Sequence, residues 1–320
     1  MEESISVIIV NYNGKKYLEK CLDSLLQTNY RNYEIIIIDN HSTDDSIDLI
    51  RQRYPQVKLI ELEKNYGFAE PNNIAAKTAT GKYLHFLNND TVVSPDFLDE
   101  LVKIMEQDSD IAISQSILLH FDETVDSSGD YIDTLGRAYN SKKRPEQVQP
   151  ILSARGASMM ARKDIFWKLG GFDKEFFATF EDVDIGWRAW ISGYKVVVVP
   201  KSIVYHVGGQ TIKEINSLIR FHGIKNSLIL RLTNFEFFTA SKSIVLLFFV
   251  IMIRKIFGVV VVKDPEVGLP PPSFGAIIRG IGWVMKNCRH IIAKRSKVNS
   301  QRVYSTRDLI NKGIITKHSF

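Results

Sequence analysis

The tripeptide Asn88-Asn89-Asp90 carries the first side chains that could do chemistry. It follows an apolar run, residues 83–87, at the point where the chain is predicted to leave a strand. One aspartate flanked by amides is enough for a weak divalent-metal site, because substrate phosphates can complete the coordination. The alternative is an Asx turn before the next helix, and the tripeptide taken alone favours that turn.

A second, more specific stretch is FDKEFFATFEDVDIGWR at residues 172–188. Its carboxylates Glu181, Asp182 and Asp184 stand beside a dense aromatic run, as in a sugar-binding wall that contains a general base. A positioned carboxylate can take the proton of an acceptor hydroxyl. Asp182 and Asp184 point different ways on a helix, so we expect only one of them to be catalytic. The alternative is that the acids complement the helix dipole and that Arg188 pairs with Asp184.

Three further sites carry polar residues with open roles. Asp39 follows four isoleucines and could accept a hydrogen bond from a pyrimidine base or a ribose, or could cap the next turn. His206 precedes two glycines and is interpreted as a metal or phosphate contact, although a lone histidine is more often structural. Arg155 and Gly156 join a cation to a small-residue loop that could admit a sugar.

Alternating strands and helices must position these residues. Strands are predicted at residues 5–10, 34–38, 57–61, 83–87, 111–117 and 195–199, and helices at 15–27, 47–53, 95–107, 163–169 and 181–192. Residues 120–150 are predicted to be loops. This alternation is typical of a mostly parallel, Rossmann-like α/β sheet with flanking helices. Ligands bind at the carboxyl edge of such a sheet, so Asn11, Asp39 and Asn88-Asn89-Asp90 should converge on one crevice.

Composition excludes several classes of protein. A chain of 320 residues that is 45% hydrophobic can bury one large core, with or without a small appendage. Its two cysteines, Cys21 and Cys288, indicate neither a disulfide framework nor a zinc site, and a cytoplasmic setting is expected. No signal peptide is predicted. NYNG at residues 11–14 replaces the glycine motif of a dinucleotide-dependent oxidoreductase.

The C-terminal third differs in charge and hydropathy. Residues 1–200 have a formal charge of −9 and residues 201–320 a charge of +14. An apolar segment, residues 244–262, is interrupted by two central cations, which favours a helix in the membrane interface over a spanning helix. Its basic flanks would meet anionic lipid head groups. A buried helical hairpin or a homodimer interface is the alternative, and no nucleic-acid-binding module accompanies the basic residues.

Taken in order, these residues resemble the family 2 glycosyltransferases with a GT-A fold, most closely their bacterial rhamnosyltransferase-like branch. The resemblance covers about residues 4–235, which implies a catalytic region at 1–235 and a basic, apolar helical region at 236–320. The matching stretches are VIIVNYNG (7–14), IDNHSTD (38–44), NYGFA (65–69), LNNDT (87–91), GFD (171–173), FEDVD (180–184) and HVGG (206–209).

The resemblance implies a role for each candidate residue. Asp182 would be the general base of an inverting, single-displacement transfer, with Glu181 and Asp184 as supporting or fallback groups. Asp90 and His206 would contact Mg²⁺ or Mn²⁺ that bridges the diphosphate. The implied nucleotide-sugar site consists of Val10, Asn11, Tyr12, Asp39, Asn65, Gly67, Asn88, Asn89, Arg155 and Gly156.

Substrate and location are implied more loosely. The favoured nucleotide-sugar donor is dTDP-L-rhamnose, with UDP-hexose or UDP-galactofuranose as alternatives. The acceptor would be a saccharide or lipid-linked saccharide of cell-surface polysaccharide synthesis, at the inner face of the cell membrane. The family's metal motif often has two aspartates, whereas here only Asp90 follows two asparagines. A catalytically silent GT-A membrane scaffold is therefore the rival hypothesis.

Overall fold

Four parallel strands form one side of the main sheet in a computed structural model that describes residues 2–207, 216–257 and 274–317. Their spatial order is β4-β1-β2-β3. The strands are β1 (Ile5–Asn11), β2 (Tyr33–Asp39), β3 (Lys58–Glu61) and β4 (Tyr83–Asn88). Their apolar runs become strands because helices cover both faces of the sheet. These predicted strands are confirmed to within one residue at each end.

The connecting helices lie on the two faces of this sheet. α1 buries Leu18, Cys21, Leu22 and Leu25, whose spacing of three and four residues makes one apolar helix face. The helices are α1 (Lys15–Leu26), α2 (Ser46–Arg53), α3 (Ala69–Thr78) and α4 (Phe97–Gln107). The sequence interpretation missed α3, whose Pro71 and paired asparagines weaken the helical signal.

The other side of the sheet is mixed in direction. β11 (Ser158–Arg162) runs antiparallel between β4 and β6 (Ile111–Leu119), and β12 (Lys195–His206) runs parallel to β6. β12 is longer than predicted, so that His206 is its last residue. Three short strands pair antiparallel along β12 and β6: β5 (Thr91–Val93), β7 (Val125–Ser127) and β10 (Gln149–Pro150).

Residues 120–150 are not the loops that the sequence predicted. Besides β7 and β10 they contain β8 (Asp130–Asp133) and β9 (Ala138–Asn140), which form a small sheet with β13 (Ile315–Thr316) near the end of the chain. Strands of two to four residues show too little alternation of apolar and polar residues to be recognised. The prediction of loops is therefore wrong for these strands.

The helices after β11 complete the core. α5 (Lys163–Leu169) is followed by a 3-10 turn (Lys174–Phe176) and by α6 (Glu181–Ile191). The core has two layers, because alternate strand residues face opposite sides of the sheet. Ile8 and Ile36 pack with α6 residues such as Trp187 on one side, and Ile9 and Ile37 pack with α1 and α4 on the other.

The described C-terminal helices pack onto this core. Leu309 and Ile315 join the same apolar cluster as Trp187, and Phe235 meets the Trp187 ring edge-to-face at 4.6 Å. The predicted domain boundary at residue 235 falls between the first two of these helices, and it stays a prediction. The helices are α7 (Asn216–Asn234), α8 (Phe237–Phe257), α9 (Phe274–Lys286), α10 (Cys288–Ser300) and α11 (Thr306–Asn311).

The apolar segment predicted at residues 244–262 lies partly in α8. Residues 244–257 belong to that helix, and residues 258–262 lie outside the described residues. Within the three described ranges, no helix combines the length and the apolar character that crossing a bilayer requires.

Candidate active site

The carboxyl ends of β1, β2 and β4 bring three predicted site residues together. In the strand register Asn11 stands opposite Asp39, and Val10 stands opposite Asn88. The Asn11 amide donates to Asp39 Oδ1 at 2.9 Å, and the Asn89 amide donates to Asn11 Oδ1 at 3.0 Å. The predicted convergence of Asn11, Asp39 and Asn88-Asn89 at this edge of the sheet is therefore present.

Asp39 is engaged by its own turn. It is 1% exposed, and its two oxygens accept hydrogen bonds from the Ser42 hydroxyl at 2.6 Å and the Ser42 backbone N–H at 2.8 Å. This geometry matches the capping alternative. Tyr12 and Val10, by contrast, are half-buried at the rim of the crevice. Asp39 therefore holds Asn11 and the turn in place, while Tyr12 is only partly buried.

The loop that contains Asn65 and Gly67 forms the next wall. Asn40 donates to Asn65 Oδ1 at 3.0 Å and to the Gly67 carbonyl at 2.7 Å. Gly67 has a φ of +82°, and a Cβ there would lie 2.2 Å from the carbonyl oxygen of Phe177. The adjacent Phe68 N–H donates to that same oxygen at 2.5 Å. A glycine is thus required for this wall to approach the loop that precedes α6.

His206 links two aspartates across the sheet edge. Its Nε2 lies 3.3 Å from Asp90 Oδ1, and its Nδ1 lies 2.8 Å from Asp126 Oδ2. Burial alone would lower the pKa of His206, but the two carboxylates outweigh it and raise this pKa to about 9. Burial would raise the pKa of Asp126, yet His206, Arg155 and Lys142 hold it well below its usual range. Gly208 and Gly209, the two glycines of the sequence motif around His206, lie outside the described residues.

The groups around His206 fit a divalent cation. The 3.3 Å between Nε2 and the Asp90 oxygen is close to the roughly 3 Å that separates neighbouring ligands in an octahedral site with bonds of about 2.1 Å. Asp126 holds the other ring nitrogen, as carboxylates commonly do behind metal-binding histidines. The described residues contain no cluster of three such ligands, so phosphate oxygens would have to complete the coordination.

Asp182 lies in the first turn of α6, beside the Arg155-Gly156 loop. Its Oδ1 accepts from the Val183 N–H at 2.8 Å, and its Oδ2 accepts from the Gly156 N–H at 3.3 Å. Burial raises the pKa of Asp182, and the nearby Arg155 guanidinium opposes that shift. Residue 182 as a whole is half-buried. Its carboxylate therefore has a raised proton affinity.

Arg155 joins this carboxylate to the histidine cluster. Its Nε donates to Asp130 Oδ1 at 3.1 Å, and the charges of Asp126, Asp130 and Asp182 together raise the pKa of Arg155 against the effect of burial. Burial raises the pKa of Asp130 to about 6, although Arg155 lowers it. A continuous set of charges thus runs from Asp182 through Arg155 and Asp126 to His206.

The other two carboxylates of α6 have different surroundings. Glu181 is 6% exposed, its Oε2 has no hydrogen-bond partner among the described residues, and burial followed by the Asp182 charge raises its pKa well above the usual range. Asp184 is fully buried and is held by Arg188 at 2.7 Å and Lys294 at 3.1 Å. The predicted Asp184–Arg188 pair is confirmed. This enclosure argues against Asp184 as a catalytic group, because no substrate atom can reach it.

Asp126 and Asp130 are the site residues that sequence reasoning missed. The stretch Val125-Asp126-Ser127-Ser128-Gly129 served only as a sign of the rhamnosyltransferase-like branch. Two aspartates on either side of Ser127-Ser128-Gly129, within twelve residues of the buried strand β6, were a signal that could have found them.

The family follows from comparison with known proteins. Residues 6–170, just over half of the chain, match the family described as Glycosyl transferase family 2. This chain belongs to that family. The glycosyltransferase is 31% identical to an O-antigen biosynthesis protein of Myxococcus xanthus over 63% of its own length and 17% of that protein. It is 32% identical to the glycosyltransferase GlyG of Streptococcus pneumoniae serotype 4 over 35% of its length and 39% of that protein. The glycosyltransferase thus spans well under half of these two relatives.

A further relative and two solved structures extend these similarities. The glycosyltransferase is 25% identical to the N-acetylglucosaminyl-diphospho-decaprenol L-rhamnosyltransferase of Mycobacterium tuberculosis over 64% of its length and 76% of that protein. TarS of S. aureus in complex with UDP-GlcNAc superposes with a TM-score of 0.60 at 16% identity, over 93% of this chain and 91% of that one. The structure of GalNAc-T7 with UDP, GalNAc and Mn2+ superposes with a TM-score of 0.59 at 19% identity, over 71% of this chain and 48% of that one. The predicted GT-A fold is confirmed.

Proposed function

We propose that this glycosyltransferase moves a sugar from a nucleotide-diphosphate donor to a saccharide or lipid-linked saccharide in cell-surface polysaccharide synthesis. One observation carries the proposal: Asp182, a carboxylate of raised pKa, shares Arg155 with the Asp126–His206–Asp90 cluster at the carboxyl edge of the sheet. A base and a diphosphate site must lie close together for one hydroxyl to displace one diphosphate. The relative named as an O-antigen biosynthesis protein supports the pathway class.

The proposed reaction is an inverting single displacement. Asp182 takes the proton of the acceptor hydroxyl as that oxygen attacks the anomeric carbon, and the bond from the anomeric carbon to the diphosphate oxygen breaks on the opposite face. The N–H groups of Gly156 and Val183 hold Asp182 in place, so alignment supplies much of the rate. Burial, followed by the Asp182 charge, raises the pKa of Glu181, which disfavours a second negative charge beside the base.

The leaving diphosphate would be held by Asp90 and His206 around Mg²⁺ or Mn²⁺. The bound cation would neutralise charge that develops on the departing diphosphate. Asn88 and Asn89 supply amides at the same edge, and Asp126 orients the histidine ring. Support comes from two solved structures of similar fold that contain Mn2+, those of GalNAc-T7 and of a mannosyltransferase of Pyrobaculum calidifontis.

The favoured nucleotide sugar is dTDP-L-rhamnose, with UDP-hexose or UDP-galactofuranose as alternatives. The relative named as an L-rhamnosyltransferase supports rhamnose, and the TarS complex with UDP-GlcNAc supports a uridine nucleotide. The nucleotide pocket would comprise the crevice around Val10, Asn11, Tyr12 and Asp39 with the Asn65–Gly67 wall. Arg155 and Gly156 would face the sugar.

The acceptor is proposed to reach the enzyme at the inner face of the cell membrane. Phe238, Val245 and Phe249 lie on one face of α8 at spacings of seven and four residues, and all three are at least 60% exposed. Lys242 is exposed on the same face. An apolar face with basic neighbours suits an anionic lipid surface. A homodimer interface is the alternative occupant of this face.

A catalytically silent scaffold is the second candidate function, because Asp90 is the only aspartate in the metal tripeptide. The deciding experiment incubates purified protein with nucleotide sugars plus Mg²⁺ or Mn²⁺ and follows thermal shift and nucleotide release. We expect turnover of at least one sugar donor, and its loss in Asp182→Asn and Asp90→Ala. Turnover that survives in both variants would overturn the assigned roles, and binding without any turnover would favour the scaffold.

A further inference from the structure

Residues 173–182, here called the base loop, hold an unfavourable backbone conformation just before Asp182. Phe177, Thr179 and Phe180 have φ values of +53°, +69° and +69°. Left-handed backbone costs about 1 kcal/mol or more for each such side chain, so surrounding contacts must hold this loop. Phe180 directly precedes α6, which makes its conformation decisive for where Glu181 and Asp182 stand.

One amide of α7 collects the carbonyl oxygens of this loop. Asn226 is fully buried, and its Nδ2 donates to the carbonyls of Phe176 at 2.8 Å, Ala178 at 2.9 Å and Thr179 at 2.7 Å. These carbonyls point to one spot because the loop is tightly curled. A buried carbonyl without a partner would cost about 1–3 kcal/mol, so Asn226 offsets much of the cost of the loop's conformation.

One lysine of α10 ties the two ends of the base loop together. Lys294 Nζ lies 2.7 Å from Asp173 Oδ2 at the start of the loop and 3.1 Å from Asp184 Oδ1 just beyond its end. It also sits 4.6 Å from the centre of the Phe176 ring. Burial would raise the pKa of Asp173, but Lys294 outweighs it and brings this pKa to about 2. The pair is therefore charged and closed around the loop.

The same loop meets the nucleotide-sugar wall on its other side. The Phe177 carbonyl accepts from the Phe68 N–H at 2.5 Å, and Gly67 allows that approach. The base loop is thus held between the wall at Gly67 and the C-terminal helices. Lys294 and Asn226 both lie beyond residues 6–170, the part that matches the family.

We propose that Lys294 and Asn226 are positioning residues, which hold the base loop so that Asp182 is presented to the acceptor hydroxyl at a fixed place. This inference rests on the proposed role of Asp182 as the base. Neither side chain contacts Asp182; each acts through the loop backbone or through Asp184. The C-terminal region is then a structural part of the catalytic apparatus as well as a basic, apolar surface.

The test compares Lys294→Met and Asn226→Leu with the conservative Lys294→Arg and with Arg302→Met. Arg302 anchors the same C-terminal segment through the Asn234 carbonyl but does not contact the loop, so it is the matched control. We expect Lys294→Met and Asn226→Leu to lower kcat by about 10- to 100-fold, as for a misplacement near 1 Å, with KM for the nucleotide sugar unchanged. Lys294→Arg should recover most of kcat, and Arg302→Met should keep it.

Three outcomes would overturn the proposal. The first is kcat within twofold of the parent in both loop variants. The second is an equal loss of kcat in Arg302→Met. The third is a loss that follows a fall in Tm in all variants, including Lys294→Arg, because that pattern marks a role in stability alone.

Hydrogen exchange separates failure of this inference from failure of the proposed function. If the parent protein turns over none of the nucleotide sugars, backbone exchange at residues 174–184 still reports on the loop. We expect faster exchange there in Lys294→Met and Asn226→Leu but not in Arg302→Met. Equal exchange in all four proteins would refute the loop-holding role whatever the activity.

Discussion

Gly156 donates its backbone N–H to the carboxylate of Asp182 at 3.3 Å, which joins the β11 side of the sheet to the first turn of α6. The two residues are 26 positions apart in the chain. Through this contact the proposed base, Asp182, stands next to Arg155. The Arg155 charge limits how far burial can raise the pKa of Asp182. The protonation of Asp182 should therefore govern the pH dependence of transfer.

Transfer should fall on acidification with an apparent pKa above 3.8, the ordinary value for an aspartate, because Asp182 must be deprotonated to act and its pKa is raised. Measurement of kcat against pH tests this. Asp182→Asn should lower kcat by about 100-fold or more, in keeping with the loss of a general base, while nucleotide affinity is kept. A variant that keeps the parent's kcat would exclude Asp182 as the base.

Asp126→Asn should weaken cation binding without abolishing it. The carboxylate holds His206 Nδ1 at 2.8 Å but is not itself a proposed ligand, so we expect about 10- to 100-fold lower affinity for Mn²⁺ in the presence of nucleotide diphosphate. Titration calorimetry with Mn²⁺ and dTDP or UDP measures this affinity. Asp122→Asn, an exposed aspartate near the same strand, is the control. Unchanged Mn²⁺ affinity in Asp126→Asn would contradict the orienting role.

Glu181→Gln should stabilise the protein more at high pH than at low pH. The folded-state pKa of Glu181 is raised above its ordinary 4.5, so its contribution to stability is present below pH 4.5 and is lost as pH rises through the folded pKa. Glutamine carries no charge at any of these pH values. Urea unfolding should show a difference in free energy of unfolding between Glu181→Gln and the parent protein at pH 8 but not at pH 4. An equal difference at both pH values would disprove the raised pKa of Glu181.

Gly67→Ala should loosen the wall beside the base loop. An alanine Cβ would be strained at φ +82° and would lie 2.2 Å from the Phe177 oxygen, so the loops must separate. We expect a loss of about 1–3 kcal/mol in free energy of unfolding and a higher KM for the nucleotide sugar. Gly313→Ala is the matched control, because Gly313 has a similar φ of +73° and its added Cβ would meet no atom within 4 Å beyond its chain neighbours. Equal behaviour of the two variants would rule out the close approach as a constraint.

The α8 face should bind anionic lipid. Phe238→Ser with Phe249→Ser removes two aromatic side chains that are 85% and 60% exposed. Burial of each would contribute about 1.5–3 kcal/mol, so the double variant should bind vesicles more than tenfold more weakly. Sedimentation with anionic phosphatidylglycerol vesicles and with neutral phosphatidylcholine vesicles tests the electrostatic and the apolar contributions to binding. Phe121→Ser, which changes a 59% exposed aromatic in the catalytic region, should bind like the parent. Undiminished vesicle binding by the double variant would contradict lipid binding by the α8 face. A parent protein that is dimeric and a double variant that is monomeric would instead favour a homodimer interface on this face.

Local patterns of the chain were enough to predict the framework. The isoleucine run ending at Asp39 and the apolar run ending at Asn88 became neighbouring parallel strands, since buried β-branched runs between helices have few other ways to fold. Convergence of Asn11, Asp39 and Asn88 then followed, because parallel strands end at the same edge. The order of the motifs also indicated the family and the GT-A fold.

Short-range patterns carried less information about α3 and about residues 120–150. Pro71 weakens the helical signal of α3, and strands of two to four residues are too short to show a recognisable period of apolar residues. Asp126 and Asp130 were consequently missed, although both lie among the charges of the site. They enter it because β7 pairs with β6 beside β12, and because Asp130 of β8 bridges Ser153, close to Arg155. No residue nearby in the chain indicates either pairing.

The sequence by itself determined β1 to β4, their carboxyl edge and the carboxylates Asp90 and Asp182, since each depends on residues close together in the chain. Only the tertiary structure decided that Asp184 is enclosed, that Asp126 holds His206 and that Lys294 and Asn226 hold the base loop. Asp126 and His206 are 80 residues apart in the chain, and Asp184 and Lys294 are 110 residues apart. Such contacts arise from how whole elements pack, and the charges they bring together set the proton affinity of each acid.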